Sequence, residues 1–202
     1  MTDLAALARA HRLRVHDIIG IADAVVVATS PAAVVYCGGY RSMGYDTDPG
    51  LRIAVVFDRK NWILVGPAAD AWAATESGDG NLRYYGYRTF FFADQDRAGG
   101  LEEFRRFENF EDAVQAALDA IGGGRAPVAV EGTEPTAGLS QLATIDAAET
   151  EKAFRRARSI KDAAEIGLLR EAAASTERAL AQALAIARAG VTELELAAVI
   201  SA

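Results

Sequence analysis

The sequence predicts an α/β chain with a mixed sheet flanked by helices over residues 1–146, followed by a helical segment over residues 147–202. Three observations predict it. Short β-branched runs, such as 24–28 (AVVVA) and 127–131 (PVAVE), alternate with stretches of helical periodicity in the first part of the chain. From residue 147 onward there is almost nothing but helix formers. Apolar residues make up 51% and charged residues 24% of the 202 positions, which is enough apolar surface for a packed core.

Residues 3–16 read as a helix, Leu4, Leu7, His11, Val15 and, just beyond, Ile18 recurring at helical spacing, with Thr2 or Asp3 as cap. Residues 24–28 read as a buried strand, and Thr29-Ser30-Pro31 as punctuation. Val34-Val35-Tyr36 reads as a second short strand, broken by Gly38-Gly39, and 41–50 as a loop. Residues 51–58 and 61–65 flank Arg59-Lys60 as a hairpin. Residues 68–75 form a short helix, 77–80 a turn, and the aromatic stretch 83–92 a strand packed in the sheet. An amphipathic helix follows over 109–121, stopped by Gly122-Gly123-Gly124, and then the strand at 127–131. In the helical segment, Asp162 with Glu165 and Thr192 with Glu195 have capping-box spacing. The stripe Ile166, Leu169, Ala173, Thr176, Leu180, Leu184 runs until Gly190 stops that helix. No later element covers this stripe, so the chain is expected to stop inside a second domain.

Charge narrows the function. Residues 1–150 hold 13 basic and 21 acidic side chains, a net charge of −8, and the whole chain carries −7. Such a chain gains nothing from phosphate counterion release, so nucleic acid is not an expected partner. No apolar run reaches the length of a membrane span, and Met1-Thr2-Asp3-Leu4 lacks a basic leader, so a cytoplasmic protein is expected. The lone Cys37 excludes an internal disulfide and reads as a small buried hydrophobe.

Searches for catalytic motifs fail. His11 and His16 are five apart, off a common helical face, and His11 lies on the apolar stripe as a packing residue. No metalloprotease, nucleophile-elbow or phosphate-loop motif is present. Asp46 and Asp48 offer two ligands, too few for a cation site, and read as a solvated loop. No residue is assigned a catalytic or metal role. The loop 40–49 is rich in recognition-type side chains, with Tyr40, Arg41, Met43 and Tyr45.

Two sets of residues resemble a known family. Arg158-Ser159-Ile160-Lys161-Asp162-x-x-Glu165-Ile166, then Leu169-Arg170-x-Ala172, then Gly190-Val191-Thr192-Glu193-x-Glu195-Leu196, resembles the opening of the catalytic domain in the creatinase/prolidase/aminopeptidase P superfamily. Ala22-Asp23-Ala24-Val25-Val26-Val27, Pro31, Val35-Tyr36 and Gly39-Tyr40 resemble the N-terminal domain that precedes it. The resemblance implies an N-terminal α/β domain at 1–146 and the start of a truncated "pita-bread" catalytic domain at 147–202. It implies a Xaa-Pro peptidase or prolidase-like parent holding two divalent metals, manganese, cobalt or zinc, on two Asp, one His and two Glu. Those ligands lie beyond the matched segment, so the chain is expected to hold no cofactor and to be inactive alone.

The resemblance further implies a homodimer in which the N-terminal domain of one subunit borders its neighbour's active site. On that basis Tyr40, Arg41 and Tyr45 are the expected contacts to a proline-containing peptide, in trans. Creatinase-type members carry an aromatic and an Arg in the loop before the third strand, where this chain has Gly44-Tyr45-Asp46-Thr47-Asp48-Pro49. That departure favours the peptidase branch over a creatinase-type amidinohydrolase fragment. A self-standing, non-catalytic dimerisation module is the alternative from a different class.

Overall fold

Every strand near the centre of the sheet is buried on both faces, so alternate side chains feed two separate cores. The computed structural model describes residues 3–48, 50–75, 81–88, 101–122, 124–132 and 138–201. These fall into two units, residues 3–159 and residues 160–202.

The first unit opens with α1 (Leu4–Ile19), capped by the Asp3 side chain and closed by Gly20 in the left-handed region. Then come β1 (Val25–Ala28), α2 (Pro31–Gly38), α3 (Met43–Thr47), β2 (Ala54–Phe57) and β3 (Trp62–Pro67). A 3-10 turn, Ala68–Asp70, leads into α4 (Ala71–Thr75), followed by β4 (Arg83–Tyr87) and β5 (Glu103–Phe107). The unit ends with α5 (Phe110–Gly122), β6 (Val128–Glu131) and α6 (Ala147–Ser159). The strands form one sheet in the order β5-β4-β3-β2-β1-β6. β2 is antiparallel to β1 and β3, and the other neighbours are parallel, so the expected mixed sheet is present.

On one face Val26, Val55, Phe57, Leu64 and Tyr84 meet Val15, Cys37 and Phe154 from α1, α2 and α6. On the other, Val25, Val56, Ile63, Val65 and Tyr85 meet Ala113, Val114, Ala117 and Leu118 of α5. The hairpin falls where the sequence places it, and Asp58 shapes its turn by accepting from the Lys60 and Asn61 amides at 2.7 and 2.6 Å.

Two expectations are corrected. Val34-Val35-Tyr36 is helical, inside α2, because Ser30 caps the Ala33 amide and Pro31 sits in the first turn, where its missing N–H costs nothing. Gly39 then ends the helix at φ +67. The loop 41–50 contains α3, capped by Ser42. The strand β5 had no expectation at all. The compact unit runs on to Ser159, because α6 buries Ala153, Phe154 and Ala157 in the first core and the Ala157 carbonyl accepts from the Tyr36 hydroxyl at 3.0 Å. The expected turn at 77–80 and residues 89–92 of the expected strand lie outside the described residues.

One clamp ties the end of β6 to the start of α2. Glu131, at the end of β6, is 4% exposed and accepts from the Thr29 and Ser30 amides, both at 3.1 Å, and from the Ser30 hydroxyl at 2.5 Å. A carboxylate thus occupies the positive end of α2.

The second unit holds α7 (Ala163–Ile186) and α8 (Glu193–Ile200). Both expected capping boxes are formed, Asp162 with Glu165 and Thr192 with Glu195. α7 ends at Ile186, four residues before the glycine expected to stop it; Gly190 lies in the connection at φ +95. Leu169, Leu180, Leu184 and Leu194 are all more than half exposed. Among the described residues no helix is long and apolar enough to cross a membrane.

Because Phe154 is fully packed in the first core, Phe154→Ala is expected to destabilise the chain by about 3–5 kcal/mol. Urea unfolding measures this. A change below about 1 kcal/mol would place α6 outside the first unit.

Candidate functional site

The three residues expected to meet a substrate lie on one wall of a cavity of about 340 Å³ at one end of the sheet. The cavity is bounded by Thr29 and Pro31 after β1, Val34 and Val35 of α2, the segment Tyr40–Ser42, Tyr45 of α3, and Ile53 before β2. Its position follows from two glycines. A Cβ on Gly38 would lie 2.9 Å from a Val55 methyl, so glycine lets α2 press onto the sheet. Gly39 reverses the chain in the left-handed region, where an added Cβ would lie 3.4 Å from that of Ala8 in α1, and delivers Tyr40 and Arg41 to the cavity.

The three residues are not equivalent. Arg41 is exposed, Tyr45 half-buried, and Tyr40 is 7% exposed with its ring in the core. Burial raises the Tyr40 phenol well above its ordinary range, and the neighbouring Asp70 charge adds to the effect. Asp70 also accepts from the Ser42 hydroxyl at 2.5 Å, while the Ser42 Oγ accepts from the Tyr45 amide at 3.1 Å. Asp70 therefore fixes the cap of α3, and through it Tyr45. Sequence reasoning missed Asp70, which arrives from the turn after β3, and no local pattern pointed to it. Asp48 is used locally, its Oδ1 accepting from the Gly50 amide at 2.9 Å.

The remaining candidates are structural. His11 is buried, donates from Nδ1 to the Tyr36 carbonyl at 2.9 Å and stacks on the Tyr36 ring at 3.7 Å. His16 is buried and donates from Nε2 to the Ala24 carbonyl at 3.1 Å. Cys37 is fully buried, and desolvation pushes its thiol far up, which makes it unreactive. Tyr84 and Tyr85 are core residues, as expected for sheet packing. Within the first unit, Glu103 and Glu111 pair with Arg83 and Arg52, and Glu131 holds α2. These carboxylates are spent on structure and do not fit a metal centre.

No family model matches the chain, and no curated protein matches it. Among solved structures, the Xaa-Pro dipeptidase from Bacillus anthracis is similar in fold, with a TM-score of 0.56 at 17% identity. The likeness covers 97% of this chain and 47% of that one, so the chain spans about half the length of its structural neighbour.

The buried tyrosines give a pH dependence. Tyr40, Tyr84 and Tyr87 all hold their phenolic protons more tightly folded than free, mainly through burial. A raised folded value stabilises fully below the unfolded value of about 10 and is lost as the pH rises beyond it. Stability is thus expected to fall above about pH 10. Asp70→Asn should bring the Tyr40 ionisation down. Phenolate absorbance during a base titration checks both, and an unaltered titration in Asp70→Asn would contradict the Asp70 contact.

Proposed function

We propose that this chain is the N-terminal portion of a Xaa-Pro peptidase or prolidase-like metallohydrolase, contributing association and a border of the active site rather than chemistry. The observation that carries the reading is the fold likeness to a Xaa-Pro dipeptidase over 97% of this chain. The two capped helices that carry the family-like motifs add support, since both caps form. The parent would hold two divalent metals on residues beyond this chain, and the chain alone would be inactive.

In this reading a second copy of the chain pairs with the first, and Arg41 and Tyr45 reach the neighbour's peptide substrate. Exposed Arg41 has the fork for a terminal carboxylate, and the Tyr45 ring suits an apolar side chain. Tyr40, buried beside Asp70, forms the wall behind them rather than a direct contact. The exposed leucines of α7 and α8 favour a second reading, a self-standing association module, because an uncovered apolar stripe seeks a partner surface.

Three experiments divide these readings. The purified chain is expected to hydrolyse no Xaa-Pro dipeptide, with or without Mn²⁺; turnover that a chelator abolishes would defeat the first reading. In the longer protein, Arg41→Ala should raise KM by about tenfold while kcat changes less, because such a contact binds substrate and transition state alike. Unchanged kinetics with an intact fold would leave the segment as simple connection. Sedimentation tests the stripe: the chain should self-associate, and Leu180→Lys with Leu184→Lys should reduce it.

A further inference from the structure

A second cavity, of about 460 Å³, opens at the opposite end of the sheet, where α1, the β2–β3 turn and the leading ends of β4 and β5 meet. Its wall brings together Arg9, Arg12, Arg59, Lys60 and Arg83, with Trp62 among them. Only two carboxylates, Asp58 and Glu102, share that lining. Five cations around one cavity run against the sign of the chain, whose first 150 residues carry −8. Crowding like charges costs energy unless an anion is to be held between them.

The cations have different tasks. Arg12 is 6% exposed; its Nη1 donates to the Cys37 carbonyl at 2.6 Å, and its guanidinium lies 4.3 Å above the Trp62 ring. It forms a rigid, buried, positive floor. Arg59 is balanced by Asp17 at 2.6 Å, and Arg83 by Glu103 at 2.9 Å. Arg9 and Lys60 are exposed and carry no ion pair among the described residues. Asp58 is held by the turn, Oδ1 accepting from the Lys60 amide at 2.7 Å and Oδ2 from the Asn61 side chain at 3.2 Å, so its single negative charge stays at the turn, against the five cations of the lining. The same carboxylate therefore fixes the turn that presents Lys60. Glu102 is exposed, outside the buried floor.

We infer that this cavity binds a phosphate-type oxyanion, either a free polyphosphate or the phosphoryl group of a small molecule. Guanidinium forks match the oxygen spacing of phosphoryl groups, and Lys60 supplies a movable point charge. The volume exceeds that of a single bare ion. The site is independent of the peptidase reading, since it lies at the other end of the sheet from Arg41 and Tyr45.

The test is calorimetric titration of the full chain at low salt with inorganic pyrophosphate and, separately, glycerol 3-phosphate. Fluorescence of Trp62 in a Trp72→Phe background gives a second readout at the cavity. Saturable one-to-one binding is expected. Arg9→Gln with Lys60→Gln should weaken it at least about tenfold with the fold intact by circular dichroism. A control pair with the same charge change elsewhere, Arg125→Gln with Arg188→Gln, should leave it unchanged. Comparable binding of glycerol 3-phosphate assigns the site to phosphomonoesters, and binding of pyrophosphate alone assigns it to free polyphosphate. Absence of saturable binding by both probes overturns the proposal, and so does equal weakening in the control pair.

Discussion

The arrangement of the first unit depends on one buried carboxylate. Glu131 closes β6 at the sheet edge, and its oxygens hold the Thr29 and Ser30 amides and the Ser30 hydroxyl across about a hundred residues of sequence. That contact fixes the parallel register of β6 on β1 and the direction in which α2 leaves the sheet. Removing a charged acceptor from buried donors leaves them unsatisfied, at a cost of about 1–3 kcal/mol for each. The direction of α2 then determines where Gly39 turns the chain, and so where Tyr40, Arg41 and Tyr45 meet the cavity. The first cavity is a consequence of this clamp rather than of residues within the 40–49 stretch alone.

Much of this fold was legible because its signals are local. The caps at Asp3, Asp162 and Thr192 formed as spacing implied, and the β2–β3 hairpin followed from two apolar runs around Arg59-Lys60. Val34-Val35-Tyr36 was misread because β-branched and aromatic residues favour strands only where a pleated neighbour is present. Here the flanking signals won: Ser30 and Pro31 start a helix, and Gly39 ends one. β5 went unrecognised since EFRRF shows little buried alternation: at the sheet edge Glu103 and Arg105 form an ion pair, while Phe104 and Phe107 pack on the buried rings of Tyr84 and Tyr85. The extent of the first compact unit to Ser159 has a related cause. α6 has a polar mean composition, and only its narrow Ala153-Phe154-Ala157 face enters the core.

The candidate site divides along the same line. Arg41 and Tyr45 stood out because recognition-type side chains sit together in one short stretch. Asp70 did not, since it reaches Ser42 from a turn 28 residues further on. Nor did the cationic cavity, whose charges come from a helix face, a hairpin turn and a strand start. In sequence these are ordinary solvated arginines. They become a cavity wall only through the β2-β3-β4 order of the sheet and the packing of α1 over it.

The two cavities thus occupy the two ends of one sheet, and the chemistry of each follows from which strand ends meet there. At the first end, the strand ends and α2 bring apolar walls and one exposed arginine, Arg41. At the second, the β2–β3 turn, α1 and the start of β4 bring five cations to a lining with two carboxylates, of which Asp58 is held in the turn. Trp62 links this end to the core: it packs with Val55 and Leu64 in the same cluster while its ring carries the Arg12 guanidinium. A charge set on such a support moves little, so the entropy cost of ordering it was met when the chain folded and not when a ligand arrives. The buried floor and the exposed Arg9 and Lys60 rim are therefore complementary. The floor fixes where an anion would rest, and the exposed rim side chains let it enter.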